Sequence, residues 1–436
     1  MKILPTLVLG CYALAALSLG AALFDAAHER TSSEYSLSLT VITPAYESAT
    51  GVIAPFGPGY ERDLLAEFCK DTPCDIRWVK APDRETALDM LAAGSADVAV
   101  GFTGDSQPRT GIAVSPVYHR STRVEVQIPV EVQGPVAASA VADDEDAARS
   151  YWLDGRSWAL WEPFTPLASG VSSGVAGPEE DYHWFWRTRN PSLHHALTTF
   201  WNGVVQPGNP LLAQLEERYF GYLPTRMDPY AVMDLMYLLK RRLPRYSDII
   251  AGASDRADIN PLLFTAVIIQ ESRLDESTVS HTGVRGIMQL TTETAAYLKV
   301  DRMNPRAAIG AGARYLQMLW KDLEPLELDE WDRWFFTLAA FNQGPRRLEG
   351  AMELSRKLGG TGRTWTELKE VYPLLSQKKY AQMVGQNTCR GQEAVNFVER
   401  VRWSYHILRG LVALDRPEAQ NLAPLLGSLD RATLGL

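Results

Sequence analysis

The sequence predicts an α/β region followed by an all-α region, and three observations support this division. Between about residues 36 and 120, strand patterns alternate with helical patterns, which is typical of βαβ units. After about residue 228 the helical period of the apolar residues dominates and strand patterns nearly vanish. The chain has 436 residues, which is too long for one small core and favours two or three domains.

The elements of the α/β region follow from hydrophobic periodicity. Alternation or short apolar runs predict strands over 37–43, 76–79 and 96–101, and helical spacing predicts helices over 60–68 and 84–93. Because helices separate these strands, we expect a largely parallel sheet.

The alternation stops between residues 134 and 180. This stretch holds small residues at 137–142, an acidic cluster at 143–146 and a run rich in Gly, Ser and Pro at 169–178. Such compositions predict loops and linkers.

Helix boundaries in the all-α region are marked by capping residues. Asn260-Pro261 and Asn304-Pro305 each place a capping side chain before a proline, which favours the first turn of a helix. Gly344-Pro345 predicts the end of one helix and the start of the next.

The N-terminus has the features of a targeting segment. Lys2 precedes an uncharged apolar run over 3–24, which suits either a cleaved signal peptide or a retained membrane anchor within residues 1–27. Val8-Leu9-Gly10-Cys11 is a faint lipidation motif and is a third option. Each option places the bulk of the chain outside the cytoplasm.

Composition excludes several classes of function. The net charge of −9 argues against nucleic acid as the main partner. The histidines lack H-E-x-x-H spacing and there is no C-x-x-C pair, so we expect no metal and no cofactor. Cys69 and Cys74 suit a small disulfide loop or two unlinked thiols, and Cys389 would stay unpaired.

One acidic residue stands out in the helix that begins at Pro261. Leu263, Val267 and Glu271 are spaced i, i+4 and i+8, so the carboxyl shares a stripe with aliphatic side chains. Burial there would raise its pKa, as a general acid near neutral pH requires. The alternative is an amphipathic helix whose last turn simply reaches solvent.

Three segments in order carry a family resemblance: QESRL at 270–274, TGVRGIMQL at 282–290 and AAFNQGP at 339–345. They resemble the signature segments of the lytic transglycosylase catalytic domain, which has a lysozyme-like helical fold. The match continues through LSQKKY at 375–380 and GQEAV at 391–395. With the α/β region in front, the chain resembles the membrane-bound lytic murein transglycosylase F family.

The resemblance implies a domain plan and a function. A solute-binding-protein-like α/β module would span 36–225 and the catalytic domain 228–436, which we expect to fold on its own. The protein would cleave the MurNAc–GlcNAc β-1,4 bond of peptidoglycan and leave 1,6-anhydromuramic acid ends. Its partners would be glycan strands and the membrane surface, in the periplasm at the outer membrane. The alternatives are a hydrolytic muramidase and a catalytically weak peptidoglycan-binding or sensing protein.

The resemblance also implies the site residues. Glu271 would protonate the glycosidic oxygen and then accept the proton of the muramic C6 hydroxyl. Substrate contacts would come from Ser272, Met288, Gln289, Phe341, Asn342 and Tyr380. The family usually has tyrosine at Phe341 and at Phe397, so two hydroxyls are missing and activity could be lowered.

The N-terminal module is expected to be a reduced binding domain. Arg109 lies where the solute-binding family holds a ligand carboxylate. Residues 154–160 resemble the opening strand of a second lobe and 181–187 the returning strand. The interval between them is too short for a complete lobe. We therefore expect docking or scaffolding rather than tight binding of free amino acids.

Overall fold

The computed structural model describes residues 36–44, 55–103, 109–128, 149–167, 172–226 and 228–427. The leader at 1–27 and the acidic cluster at 143–146 lie outside these ranges. Among the described residues, no helix combines the length and the apolar character that crossing a bilayer requires.

The α/β module is built on one mixed sheet. Its strands are β1 (Leu37–Pro44), β2 (Cys74–Ala81), β3 (Val98–Thr103), β4 (Ile112–Val114), β5 (His119–Ile128), β6 (Arg149–Asp154) and β7 (Ser172–Arg187). Its helices are α1 (Tyr60–Asp71), α2 (Arg84–Ala93), α3 (Gly155–Trp161), α4 (Pro191–Val204) and α5 (Leu211–Phe220). The spatial order is β2-β1-β3-β7-β5-β6, and β4 also pairs with β7.

The predicted α/β class is confirmed, whereas the expectation of a largely parallel sheet is wrong. β1 pairs in parallel with β2 and β3, but β7 runs antiparallel to β3, β4 and β5. The reason is the long strand β7, which returns beside β3 in the opposite direction.

Two local predictions also fail in this part of the module. Residues 155–161 form helix α3 instead of an opening strand, because strand β6 already ends at Asp154. The Gly/Ser/Pro-rich run was expected to be a loop, yet β7 begins at Ser172, since pairing with β5 overrides weak strand propensity.

Helices cover both faces of the sheet. Alternate strand residues such as Val41 and Trp184 pack with α1, α4 and α5 on one face. Ile42 and Phe185 face the other way and pack with α2. At the edge, Cys69 and Cys74 form the disulfide, with their Cα atoms 5.5 Å apart, and Cys389 is free.

The all-α prediction for the second region is confirmed. Its helices are α6 (Pro229–Arg241), α7 (Ser247–Ala257), α8 (Pro261–Ser272), α9 (Thr292–Tyr297), α10 (Pro305–Asp322), α11 (Glu330–Gln343), α12 (Pro345–Lys357), α13 (Trp365–Val371), α14 (Lys378–Met383), α15 (Gly391–Ala413) and α16 (Ala423–Leu426). Asn260 and Asn304 cap α8 and α10, and Gly344 separates α11 from α12, as predicted.

Helix α8 is the centre of this domain. Every residue from Pro261 to Ile269 is buried, so the helix is enclosed on all sides and is not amphipathic. The long helix α15 packs along it, and α11 packs against α15.

The core of the helical domain extends across the boundary near 228. Phe56, Leu160, Phe164 and Tyr222 from the preceding region belong to the same buried cluster as the helices of the second. Polar contacts accompany them: His406 Nε2 lies 3.0 Å from the Leu160 carbonyl oxygen. The two regions therefore share a core, which argues against the expectation that residues 228–436 fold on their own.

At this boundary lies a fully buried arginine. Arg402 on α15 is 0% exposed and its guanidinium contacts Glu217 at 2.6 Å and Glu399 at 3.0 Å. The cation also lies 4.2 Å from the ring centroid of Phe335. Because Glu217 belongs to α5, this ion cluster joins the α/β module to the helical domain.

Candidate active site

A cleft of about 870 Å³ opens at the C-terminal end of α8. Its walls are the loop that follows α8, the last turn of α11 and the first half of α15. The lining residues are Gln270, Glu271, Ser280, His281, Thr282, Val284, Met288, Gln289, Leu290, Thr291, Thr294, Tyr315, Phe341, Asn342, Gln343, Gly344, Arg390, Glu393, Asn396, Phe397 and Arg400.

Glu271 is placed in this cleft by the way α8 begins and ends. The Asn260 side chain accepts hydrogen bonds from the backbone N–H groups of Leu262 and Leu263, at 2.9 and 3.3 Å. Arg273 then turns left-handed, with φ of 55°, and its N–H donates to the Ile269 carbonyl. Glu271 thus lies in the last turn, where the buried helix meets the cleft.

The carboxyl of Glu271 is largely shielded from solvent. Burial raises the pKa of its carboxyl to about 8. Within the described residues, no side chain or backbone group forms a hydrogen bond or ion pair with this carboxyl. At neutral pH the group is therefore mostly protonated and able to donate a proton.

The loop after α8 brings backbone close to the cleft. Gly286 has φ of 96°, and a Cβ there would lie 2.5 Å from the Arg302 carbonyl oxygen, so only glycine fits. Met288 is 1% exposed and packs on Gly312, so it forms the floor of the cleft. The Gln289 amide donates to the carbonyl oxygens of Gly286 and Thr278, at 2.8 and 3.1 Å, which braces the loop.

The aromatic wall of the cleft contains both departures from the family pattern. Phe341 on α11 and Phe397 on α15 stack with ring centroids 6.4 Å apart. Tyr315 on α10 packs on Phe341, with ring centroids 5.7 Å apart, and also lines the cleft. Asn342 lies beside them inside α11, whose C-cap is Gly344, so Asn342 is not itself the cap.

Three predicted site residues lie outside the cleft lining. Ser272 is buried and its hydroxyl donates to the Ile268 carbonyl at 3.4 Å. Tyr380 packs half-buried against the helical core, with the Lys379 ammonium 5.1 Å from its ring centroid. Arg109, in the α/β module, forms ion pairs with Glu85 and with Asp89, the latter at 2.9 Å.

Sequence reasoning missed several polar residues of the cleft. Glu393, Asn396 and Arg400 are spaced i, i+3 and i+7, which places them on one face of α15 together with the already noted Phe397 at i+4. That spacing was visible in the sequence and could have identified this wall. Arg390 pairs with Glu393 at 2.9 Å.

No group of three or more potential metal ligands occurs among the residues that the structure describes.

The helical domain is similar to a known family of catalytic domains. Residues 248–361 match the model of the transglycosylase SLT domain. This range contains Glu271, Met288, Gln289, Phe341 and Asn342.

The resemblance of the chain to membrane-bound lytic murein transglycosylase F is confirmed by relatives of that name. The protein from Nitrosospira multiformis is 29% identical over 415 residues, with 85% of each chain covered. The one from Photobacterium profundum is 35% identical over 234 residues, which is 53% of this chain and 44% of that one. In several such alignments the chain spans less than half the length of the relative.

Among solved structures, the chain is similar to the GluR0 ligand-binding core in complex with L-glutamate. The identity is 12% and the TM-score 0.31, over 43% of this chain and 100% of that one. An ancestral arginine-binding protein bound to glutamine is 17% identical, with a TM-score of 0.31, over 42% of this chain and 98% of that one.

Proposed function

We propose that the protein is a peptidoglycan lytic transglycosylase that cleaves the MurNAc–GlcNAc β-1,4 bond and leaves 1,6-anhydromuramic acid ends. The observation that carries this proposal is the Glu271 carboxyl, which lies in the cleft without a polar partner among the described residues and has a pKa raised to about 8. The match to the transglycosylase SLT domain and the names of the relatives support the same reaction.

Glu271 can serve both steps of this reaction. As the acid, it gives its proton to the glycosidic oxygen while the bond to C1 breaks. As the carboxylate, it then takes the proton of the C6 hydroxyl while that oxygen attacks C1, so no water is consumed. A pKa close to neutral suits a group that donates and accepts in turn.

The second carboxylate of the cleft, Glu393, supports a mechanism in which Glu271 performs both steps. Glycosidases that use water or an enzyme nucleophile usually need a second free carboxylate near the bond. Glu393 lines the cleft but is held in an ion pair with Arg390. An intramolecular attack by the sugar's own hydroxyl removes the need for a second carboxylate.

We assign the substrate contacts as the sequence predicted for Met288, Gln289, Phe341 and Asn342, all of which line the cleft. Ser272 and Tyr380 are then supporting residues, because they pack behind the cleft wall or against the core.

Product analysis tests the reaction. Purified protein is incubated with murein sacculi and the soluble muropeptides are analysed by mass spectrometry. The expected products carry anhydro ends and are lighter by one water than their hydrolytic counterparts. Reducing ends would instead identify a hydrolytic muramidase, and binding without products would identify a peptidoglycan-binding protein.

For the whole protein we propose export and attachment to the membrane, at the outer membrane, through the segment at 1–27. The basic start and apolar run of that segment support export, and the words 'membrane-bound' in the name of the relatives support membrane attachment. Fractionation of cells that express the full chain tests it: the protein should sediment with outer membranes and be released by detergent.

We propose an α/β module at 36–225 and a catalytic domain at 228–436, with docking or scaffolding as the role of the module. The ion pairs of Arg109 with Glu85 and Asp89 support this role, because they occupy the guanidinium that a ligand carboxylate would need.

A further inference from the structure

A second groove of about 490 Å³ lies beside the catalytic cleft. It runs between α6, the end of α8 and the middle of α15, and the segment that joins the two regions of the chain forms one side. Gln270 and Arg400 line both the groove and the cleft, so the two are adjacent. Gln270 immediately precedes Glu271, which places the junction beside the acid.

In this side groove the carboxylates have partners, whereas two of the guanidinium groups do not have one among the described residues. Its carboxylates are occupied: Asp234 pairs with Arg273 at 2.5 Å, Glu399 pairs with Arg402 at 3.0 Å, and Asp228 accepts from the Tyr230 N–H at 3.0 Å. Two of its guanidinium groups are different. Arg226 and Arg400 form no ion pair or hydrogen bond within the part of the chain that the structure describes.

The rest of the lining is apolar apart from one unused donor. Leu235, Leu238 and Ile269 form a surface suited to methyl groups. The indole N–H of Trp403 is buried and has no hydrogen-bond partner among the described residues. A ligand that supplies carboxylates, small aliphatic side chains and carbonyl oxygens would match all three features.

We infer that the side groove binds the acidic stem peptide of the muramic acid unit whose glycan occupies the catalytic cleft. The stem peptide carries free carboxylates and alanine methyl groups, whereas the glycan backbone is largely uncharged. The free arginines therefore favour the peptide over further sugar units as the occupant. The inference deepens the proposed function and rests on it for the identity of the substrate.

The test compares two substrates with the full-length protein. One is glycan strands that retain their stem peptides, and the other is strands stripped of peptides by an amidase. Arg226→Gln is expected to lower the ratio of kcat/KM for peptide-bearing over stripped strands by about three- to ten-fold, the loss typical of one partly exposed charge-assisted contact. Arg226→Lys should retain most of the wild-type ratio because the positive charge remains.

Arg241→Gln is the matched control. Arg241 is exposed at the end of α6, is unpaired within the described residues and lies outside both grooves. Its substitution should leave the ratio unchanged. A ratio unaffected by Arg226→Gln, or an equal loss on both substrates, would overturn the assignment of the groove to the peptide.

A binding measurement separates this inference from the proposed reaction. The soluble tripeptide L-Ala-γ-D-Glu-meso-diaminopimelate is titrated into wild-type protein and the Arg226→Gln variant by calorimetry. Weaker binding to the variant supports the groove even if no anhydro product forms on either strand, an outcome that would refute the reaction alone. No binding of millimolar tripeptide to the wild type would refute the groove.

Discussion

The cleft and the boundary between the two regions each hold an ionisable side chain that is shielded from solvent, but in opposite settings. Glu271 has no polar partner among the described residues, and desolvation raises the pKa of its carboxyl to about 8. Arg402 is 0% exposed and is surrounded by Glu217, Glu399 and three aromatic rings. The Glu271 carboxyl stays neutral because it keeps its proton. The Arg402 guanidinium stays charged because its carboxylate partners and aromatic neighbours compensate for the loss of solvent.

Under the proposed function, this difference separates a reactive residue from a structural one. An unpartnered carboxyl destabilises the fold but can exchange its proton with a substrate. A compensated guanidinium holds α5 against α15 and has nothing to exchange. Substitutions at the two positions should therefore change different properties.

The largest effect is expected for Glu271→Gln, because the amide cannot donate or accept the proton. Turnover of murein should fall by about 10²- to 10⁴-fold while glycan binding and the fold persist. Glu276→Gln is the control, since Glu276 pairs with Arg245 at 2.8 Å and lies outside the cleft lining. Soluble anhydro-muropeptide release measures both variants, and turnover of Glu271→Gln within a few-fold of wild type would refute the assignment.

The next effect concerns the boundary. Arg402→Met should lower the free energy of unfolding by about 3–5 kcal/mol, because it leaves the partly buried Glu217 and Glu399 with Lys369 as their remaining cation. Urea unfolding of the full chain provides the measurement. Arg241→Gln should change this free energy by no more than about 0.5 kcal/mol. A loss below about 1 kcal/mol for Arg402→Met would mean that the cluster does not join the two regions.

A smaller effect is expected from the pH dependence of stability. The pKa of Glu271 is higher in the folded state than in the unfolded state, so its contribution to stability is present below about pH 4.5 and declines as pH rises towards about 8. The advantage of Glu271→Gln over wild type should thus grow by about 1.4 kcal/mol per pH unit, to about 3 kcal/mol at pH 7. Urea unfolding at pH 4.5, 5.5 and 7 measures this difference. A difference that does not change with pH would show that the carboxyl is not buried in its neutral form.

The smallest effect is expected in the α/β module. Free amino acids should give no micromolar binding, because the Arg109 guanidinium is already paired with Glu85 and Asp89. Calorimetry on the full chain with a panel of amino acids checks this expectation. A micromolar response that disappears in Arg109→Gln would contradict this expectation and would indicate that the module binds small ligands.

The parts of the fold and site that could be predicted are those specified by local sequence. The Asn260-Pro261 pair marks the start of α8, and the spacing of Leu263, Val267 and Glu271 together with the family resemblance points to the carboxyl that lines the cleft. The amphipathic argument behind that spacing was incomplete, however, because α8 is buried on all sides. Glu271 reaches the cleft by its position in the last turn.

The parts that could not be predicted depend on contacts between distant residues. Strand β7 begins in a Gly/Ser-rich segment and is stabilised by pairing with β5. Tyr315 enters the cleft through the packing of α10 on α11. Arg402 finds Glu217 across 185 positions of the chain. The local periodicity of the sequence does not predict contacts between residues so far apart in the chain.

Helix α15 also constrains how the length of this protein can vary. Its residues face two different parts of the molecule. Phe397 and Arg400 line the cleft, and Glu399 and Arg402 lie at the boundary between the two regions. A single inserted residue would turn the rest of the helix by about 100°, since one turn takes about 3.6 residues. Insertion after Arg400 would rotate Arg402 away from Glu217, and insertion before Glu393 would disrupt the cleft wall. Gains and losses of residues in related chains should therefore accumulate in loops and spare this helix.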